Sequence, residues 1–102
     1  MSKPDRAILL YRDKVIESDG CVQEIVVWQL PKATKERPHG FKYRMFYGLP
    51  DGSNVVRYDN ETGKGDHRHI GETELAYSFK SLAQLLLDFR ADVEQERKRL
   101  GL

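Results

Sequence analysis

The chain has 102 residues and a formal net charge of +1, which suits one hydrophobic core, and we expect a single domain over residues 1–102 that folds without a disulfide or a metal. Its one cysteine excludes an internal disulfide, and no apolar run reaches the roughly 20 residues of a membrane-spanning helix. Since the first residues also lack an apolar signal segment, these features predict a cytoplasmic protein with no membrane partner.

Strands separated by turns are predicted over about residues 7–79. Residues 7–17 form a short hairpin or one bent strand. Residues 21–30 form the next strand, whose central residues are apolar on both faces. We therefore expect this strand inside the sheet, with Trp28 in the core, and we expect His39 in an exposed polar loop that follows.

The clearest strand covers residues 41–47, where apolar and basic side chains alternate. Its apolar face comprises Phe41, Tyr43, Met45 and Tyr47. Residues 54–58 are predicted to return as the next strand, so that Arg44 and Arg57 share a face of the sheet if the register allows it. A further short strand is expected near residues 76–79.

The last patterned segment predicts an amphipathic helix over about residues 82–99. Ser81 is followed three positions later by Gln84, which is a capping-box pattern. Apolar residues then recur every three or four positions, at Leu82, Leu85, Leu86, Phe89 and Val93. We therefore predict an α+β fold, in which a single antiparallel sheet of five to six strands carries the C-terminal helix on one face.

Reactive side chains are concentrated just before the predicted end of the sheet. Two of the chain's three histidines, His67 and His69, lie two positions apart there. In an extended backbone they point to one face, whereas Asp66 and Arg68 point to the other. Because imidazole titrates nearest neutrality among the side chains, a convergent pair suits acid–base chemistry or metal binding.

One interpretation of this segment is the cleavage of RNA without a metal or other cofactor. A ribonuclease needs a base for the 2′-hydroxyl proton, an acid for the leaving 5′-oxygen and cations that stabilise the phosphorane. His67 and His69 would supply the acid and the base, and Asp59 or Asp66 would orient an imidazole. The predicted phosphate and RNA contacts are Lys64, Arg57, Arg44, Lys42, Arg68 and Tyr58.

Three other interpretations stay open on the residues alone. The same loop could bind a nucleotide, a nucleic acid or a partner protein without catalysis. His67 and His69 with Asp59, Asp66 or Glu72 could hold zinc or manganese in a metal-dependent phosphodiesterase or nucleotidyltransferase. The third is a polar turn whose side chains hydrogen-bond their own backbone.

The patterned segments follow one another over nearly the whole chain. They are residues 8–14, 19–20, 24–28, 41–48, 58–61 and 63–69, followed by the helix that begins after Ser81 and contains Asp88-Phe89. The most specific part is Tyr58-Asp59-Asn60 followed by Lys64-Gly65-Asp66-His67-Arg68-His69. Together these segments resemble the TumE-type toxin family of prokaryotic toxin–antitoxin systems.

The resemblance implies a toxin that a cognate antitoxin neutralises, often a helix-turn-helix DNA-binding protein encoded by the adjacent gene. Small toxins of this size often act on RNA or translation, and this analogy agrees with the ribonuclease interpretation of the histidine pair. We therefore predict a toxin whose target is RNA, with a homodimer left open. An antitoxin that masks the site would cover residues 59–69.

Overall fold

The computed structural model describes residues 6–61 and 63–102, which form six strands and one helix. These elements are β1 (Ile8–Ile16), β2 (Val22–Gln29), β3 (Phe41–Gly48), β4 (Asn54–Asp59), β5 (His67–Ile70), β6 (Thr73–Ala76) and α1 (Leu82–Leu100). The strands form one sheet, and the helix follows the last strand. The predicted α+β fold is therefore confirmed.

The sheet is a meander, because each strand pairs antiparallel with the next strand along the chain, in the order β1 to β6. Two details differ from the sequence-based expectation. The first strand is one continuous element with a register shift between Leu9 and Tyr11, so the hairpin alternative for this segment is wrong. The last strand starts at Thr73, earlier than expected, because Gly71, with φ of +59°, turns the chain directly after β5.

The helix begins and ends at the capping residues that the sequence indicates. The Ser81 side chain accepts a hydrogen bond from the backbone N–H of Gln84 at 3.0 Å, and Gly101 adopts the left-handed conformation that ends the helix. One face of α1 is buried through Leu85, Phe89 and Val93. It packs mainly against β4, over a sheet face that contains Tyr43, Met45, Tyr47, Val56 and Tyr58.

The two faces of the sheet therefore differ in character. Successive residues of a strand point to opposite faces, and residues directly opposite each other on paired strands share a face. We call the side covered by α1 the helix face and the other side the open face. From the register, the charged and aromatic residues of the open face are Arg12, Lys14, Glu24, Trp28, Lys42, Arg44, Phe46, Arg57, Asp59, His67, His69 and Glu74.

The register also places Arg44 and Arg57 on the same face, as the sequence predicted.

Within residues 6–61 and 63–102, no helix is long and apolar enough to span a membrane.

Candidate functional site

Strands β4 and β5 place the two histidines side by side on the open face. His69 lies opposite Arg57, and His67 lies opposite Asp59. The imidazole centroids are 5.2 Å apart, with the ring planes at 77°. The convergence that the spacing predicts is present, and β4 adds a cation and a carboxylate to the pair.

His67 is almost fully buried between two hydrogen-bond acceptors, with 6% of its side chain exposed. Its Nδ1 donates to the carbonyl oxygen of Gly65 at 3.0 Å, and its Nε2 lies 2.8 Å from Oδ1 of Asp59. A neutral imidazole carries a proton on only one nitrogen, whereas a protonated ring can donate from both. His67 therefore faces an oxygen acceptor at each ring nitrogen.

The polar atoms around Asp59 are incompletely satisfied. The second carboxylate oxygen of Asp59 lies 3.1 Å from Nε of Arg57. In the described part of the chain, five buried side-chain polar atoms lack a hydrogen bond of ordinary geometry, and three of them are Oδ1 of Asp59, Nε2 of His67 and Nε of Arg57. Their contacts are close enough for ion pairing, but the angles are unfavourable. Unmet hydrogen bonding of buried groups is costly, and three of these five atoms belong to this one cluster.

His69 has the opposite electrostatic surroundings. Its Nε2 lies 3.0 Å from Nη2 of Arg57. A guanidinium can only donate, so Nε2 of His69 is the acceptor and the ring is neutral. Burial, followed by the positive charge of Arg57, lowers the pKa of His69 below its ordinary value. The two histidines are therefore adjacent but lie in different surroundings, His67 among acceptors and His69 against a cation.

A metal could be ligated at the same place only by competing with Arg57. Oε1 of Glu74 lies 3.9 Å from Nε2 of both His67 and His69, and the three ligand atoms lie within 4.8 Å of one another. The additional carboxylate is thus Glu74 and not Glu72. The donor types suit zinc or manganese, but the Arg57 guanidinium occupies Nε2 of His69 and repels a cation. A metal ion at this place would therefore have to displace the Arg57 guanidinium.

Cations without an acidic partner surround this cluster on the open face. Arg44 lies opposite Asp59 in the β3–β4 pair, and Lys42 lies two positions further along β3. Among residues 6–61 and 63–102, no carboxylate lies within ion-pair distance of Arg12, Lys42 or Arg44. Lys64 is exposed in the segment that precedes β5. This surface is ready to accept an anion.

Three residues that the sequence grouped with the candidate site lie on the other side of the sheet, which for Asp66 and Arg68 is the side that the two-residue period of a strand predicts. Asp66 accepts a hydrogen bond of 2.6 Å from the Tyr43 hydroxyl. Arg68 donates to Asp92 on α1 at 2.8 Å, and the hydroxyl of Tyr58 also donates to Asp92. Tyr58 has no exposed surface, so no base can stack on it. The structure does not bring these three side chains to the histidines. Arg68 and Tyr58 join the sheet to the helix, and Asp66 bonds to Tyr43 of the sheet.

Two residues have surroundings that differ from the sequence-based expectation. His39 is not an exposed loop residue, because its ring stacks on Phe79 with centroids 3.9 Å apart and its Nε2 lies 3.1 Å from Asp66. Trp28 is not in the core, because it lies half-buried on the open face, opposite Lys42. The His39–Asp66 contact spans 27 residues and leaves no local sequence signal. The alternation along β2 could have placed Trp28 on the open face.

Asn60 is a positioning residue for which the sequence indicated no role. Its side-chain oxygen accepts from the backbone N–H of Tyr43 at 3.0 Å, and its amide nitrogen donates to the carbonyl oxygen of Phe41 at 2.8 Å. Its own carbonyl accepts from Nε of Arg37 at 2.9 Å. These bonds fasten the end of β4 to β3, directly beside Asp59.

Comparison with known proteins gives one match. A family model described as Toxin TumE matches residues 3–97. The match includes all six strands and most of the helix, and therefore the whole histidine cluster. Neither the curated proteins nor the solved structures contain a match to this chain. The extent of the family match shows that the chain belongs to the TumE toxin family.

Proposed function

We propose that this toxin cleaves RNA without a metal, at the histidine pair of the open face. The observation that carries the proposal is the pairing of two imidazoles, 5.2 Å apart, in opposite electrostatic surroundings. General acid–base catalysis needs one group ready to donate a proton and another ready to accept one. His67 and His69 have those complementary surroundings, and unpaired cations lie beside them.

The proposed reaction removes one proton on the nucleophile side of the phosphate and delivers one on the leaving-group side. Neutral His69 accepts the proton of the ribose 2′-hydroxyl, and the 2′-oxygen attacks phosphorus. The bond from phosphorus to the 5′-oxygen breaks, and His67 donates to that oxygen the proton of Nε2, the nitrogen that faces Asp59 without a hydrogen bond of ordinary geometry. The products are a 2′,3′-cyclic phosphate and a free 5′-hydroxyl. Asp59 positions the ring of His67 and compensates its charge.

Arg57 couples substrate binding to this chemistry. Its guanidinium lies against both His69 and Asp59, and so covers the nitrogen that must accept the proton. A phosphate attracts the guanidinium more strongly than a neutral imidazole does. Binding of the scissile phosphate therefore moves Arg57 away from Nε2 of His69 and exposes that nitrogen. Arg44 and Lys42 bind neighbouring phosphates.

We further propose that a cognate antitoxin, which can be a helix-turn-helix protein, blocks this face. Support comes from the toxin description of the family and from the accessibility of the cations beside the histidines. A partner that covers residues 59–69 would exclude RNA from both histidines. An antitoxin complex that leaves this segment open would contradict direct masking.

The decisive test is cleavage of a synthetic RNA by the purified full-length chain in excess EDTA. We expect fragments that end in a 2′,3′-cyclic phosphate, and no cleavage where the scissile ribose is 2′-deoxy. The matched variants are His69→Gln, which removes the base, and Arg90→Ala, which removes an exposed charge on α1. Activity that disappears with chelator and returns with one divalent ion would replace this proposal by a metal-dependent phosphodiesterase using Glu74. Binding without cleavage in all conditions would favour a binding module.

A further inference from the structure

We propose that Trp28 forms a nucleobase-binding subsite for a single-stranded part of the RNA, an inference that rests on the proposed function. Trp28 lies half-buried on the open face and lines a cavity of about 550 Å³. Aromatic side chains on an exposed sheet face are a common platform for the unpaired bases of single-stranded RNA. Trp28 is therefore placed to bind substrate in addition to packing.

The cavity combines an apolar floor with a basic rim. Val26 and Trp28 are neighbours on the open face of β2 and form the floor. Arg12 on β1 and Arg44 on β3 lie on the two sides of Val26, and Lys42 lies beside Trp28. A nucleotide has the same two parts, because its base is flat and apolar on both faces while its phosphate is anionic. The base fits the floor, and the phosphates fit the rim.

The cavity also contains carboxylates, which argue against a simple phosphate site. Glu24 and Glu61 line it together with the cations. A carboxylate repels a phosphate but accepts hydrogen bonds from the amino groups of bases. An anion alone would be bound less well here than a base that offers donors to these oxygens and keeps its phosphate at the rim.

The position of the cavity relative to the histidines indicates how the RNA would run. Trp28 is on β2 and the histidines are on β5, so they are at least three strand spacings apart, which is about 14 Å measured across the strands. Arg44 and Asp59 lie between them. This distance exceeds one nucleotide, so the base on Trp28 belongs to a nucleotide removed from the scissile phosphate. The RNA must be single-stranded there, because a duplex covers the base faces with neighbouring pairs.

The first experiment uses Trp28 as its own reporter, because it is the chain's one tryptophan. The full-length chain with His67→Ala and His69→Ala is titrated with a single-stranded RNA, with an abasic strand of the same length, and with a duplex of the same sequence. We expect quenching of tryptophan fluorescence by the single strand. The abasic strand and the duplex should bind more weakly and leave the fluorescence nearly unchanged.

The second measurement separates stacking from packing by substitution. Trp28→Ala should raise the Kd for the single strand about tenfold, and Trp28→Phe should retain most of the affinity. In the active chain, Trp28→Ala should raise KM by a similar factor and change kcat little. Tyr11→Ala is the matched control, because Tyr11 is an exposed aromatic residue of β1 on the helix face.

The outcomes distinguish this inference from the proposed function. Cleavage together with equal binding of the abasic and the normal strand would overturn the subsite and leave the ribonuclease. Base-dependent quenching without cleavage by the histidine-intact chain would keep the subsite and overturn the ribonuclease. No binding of any strand would overturn both.

Discussion

Strands β4 and β5 perform different tasks on their two faces. On the helix face, Tyr58 and Arg68 both bond to Asp92, which fastens α1 to the sheet. On the open face, the corresponding side chains are Arg57, Asp59, His67 and His69. The helix-face cluster bonds directly to its helix partner and contains one described buried atom without a hydrogen bond of ordinary geometry, Nε of Arg68, whereas the open-face cluster contains three.

On the proposed function, stability and reactivity alternate along the same strands. Residues adjacent in sequence lie on opposite faces, so Arg68 bonds to α1 from a position between the two proposed catalytic histidines. Substitutions on the two faces should therefore affect different measurements. Four predictions test this separation, from the largest expected effect to the smallest.

Replacing one histidine of the open face should abolish most of the RNA cleavage. His69→Gln removes the proposed base while keeping a side chain that can accept from Arg57, and the rate should fall by at least about 100-fold. Initial rates on a synthetic RNA measure the effect, and urea unfolding serves as the stability control. A rate within threefold of the unsubstituted chain would show that the open face is not the catalytic one.

Replacing Arg68 should instead lower stability. Arg68→Ala removes the 2.8 Å ion pair to Asp92, and the free energy of unfolding should fall by about 1–3 kcal/mol. Urea unfolding measures this, with the exposed Arg90→Ala as a control expected within about 0.5 kcal/mol. Cleavage by the folded protein should persist. A folded Arg68→Ala protein without cleavage would instead support the RNA contact that the sequence suggested for Arg68.

Removing one cation of the open face should weaken RNA binding in a salt-dependent way. Arg44→Ala should reduce the slope of log affinity against log salt by about 0.7, the value for one phosphate contact on a single strand. Fluorescence anisotropy at several salt concentrations measures the slope. The same titration with Arg90→Ala should leave it unchanged, and equal slopes for all three proteins would remove Arg44 from the RNA-binding surface.

The pH dependence should report the neutral form of His69. Because its pKa is lowered from the ordinary value of 6.5, the acidic limb of the cleavage profile should have its midpoint below pH 6.5. Between pH 6.5 and the lowered pKa of His69 in the folded chain, the unfolded chain binds the proton more readily than the folded chain does. The free energy of unfolding should therefore also fall as the pH drops through this range. Arg57→Gln removes the second cause of the shift and should raise the His69 pKa. An NMR titration of His69 that shows an ordinary or raised pKa in the unsubstituted chain would contradict this picture.

Local patterns were sufficient to predict the fold class and the pairing of the histidines. The helix follows from its cap and its three- and four-residue spacing, and the face shared by His67 and His69 follows from the two-residue period of a strand. The same period separates Asp66 and Arg68 from the histidines. The sequence does not show which face the helix covers, so its pattern groups Arg68 and Tyr58 with the RNA contacts.

Contacts between distant segments could not be read from local patterns. Asp59 and Arg57 meet the histidines only in the register of the β4–β5 pair, and the tight turn at Gly71 moves the last strand forward. Glu74 reaches the cluster through that shifted strand. Each of these placements depends on loop geometry, which single-residue preferences do not determine.

The meander order of the strands has a consequence for the synthesis of the toxin. Each strand pairs with the one made just before it, so the sheet can assemble from local contacts as the chain leaves the ribosome. The helix that covers its apolar face is made after all six strands. We expect an unfinished chain that lacks the helix to expose Tyr47, Val56 and Tyr58, and to be an easy target for proteases. Toxicity would then begin only after the helix has been translated, because incomplete toxin chains would be degraded first.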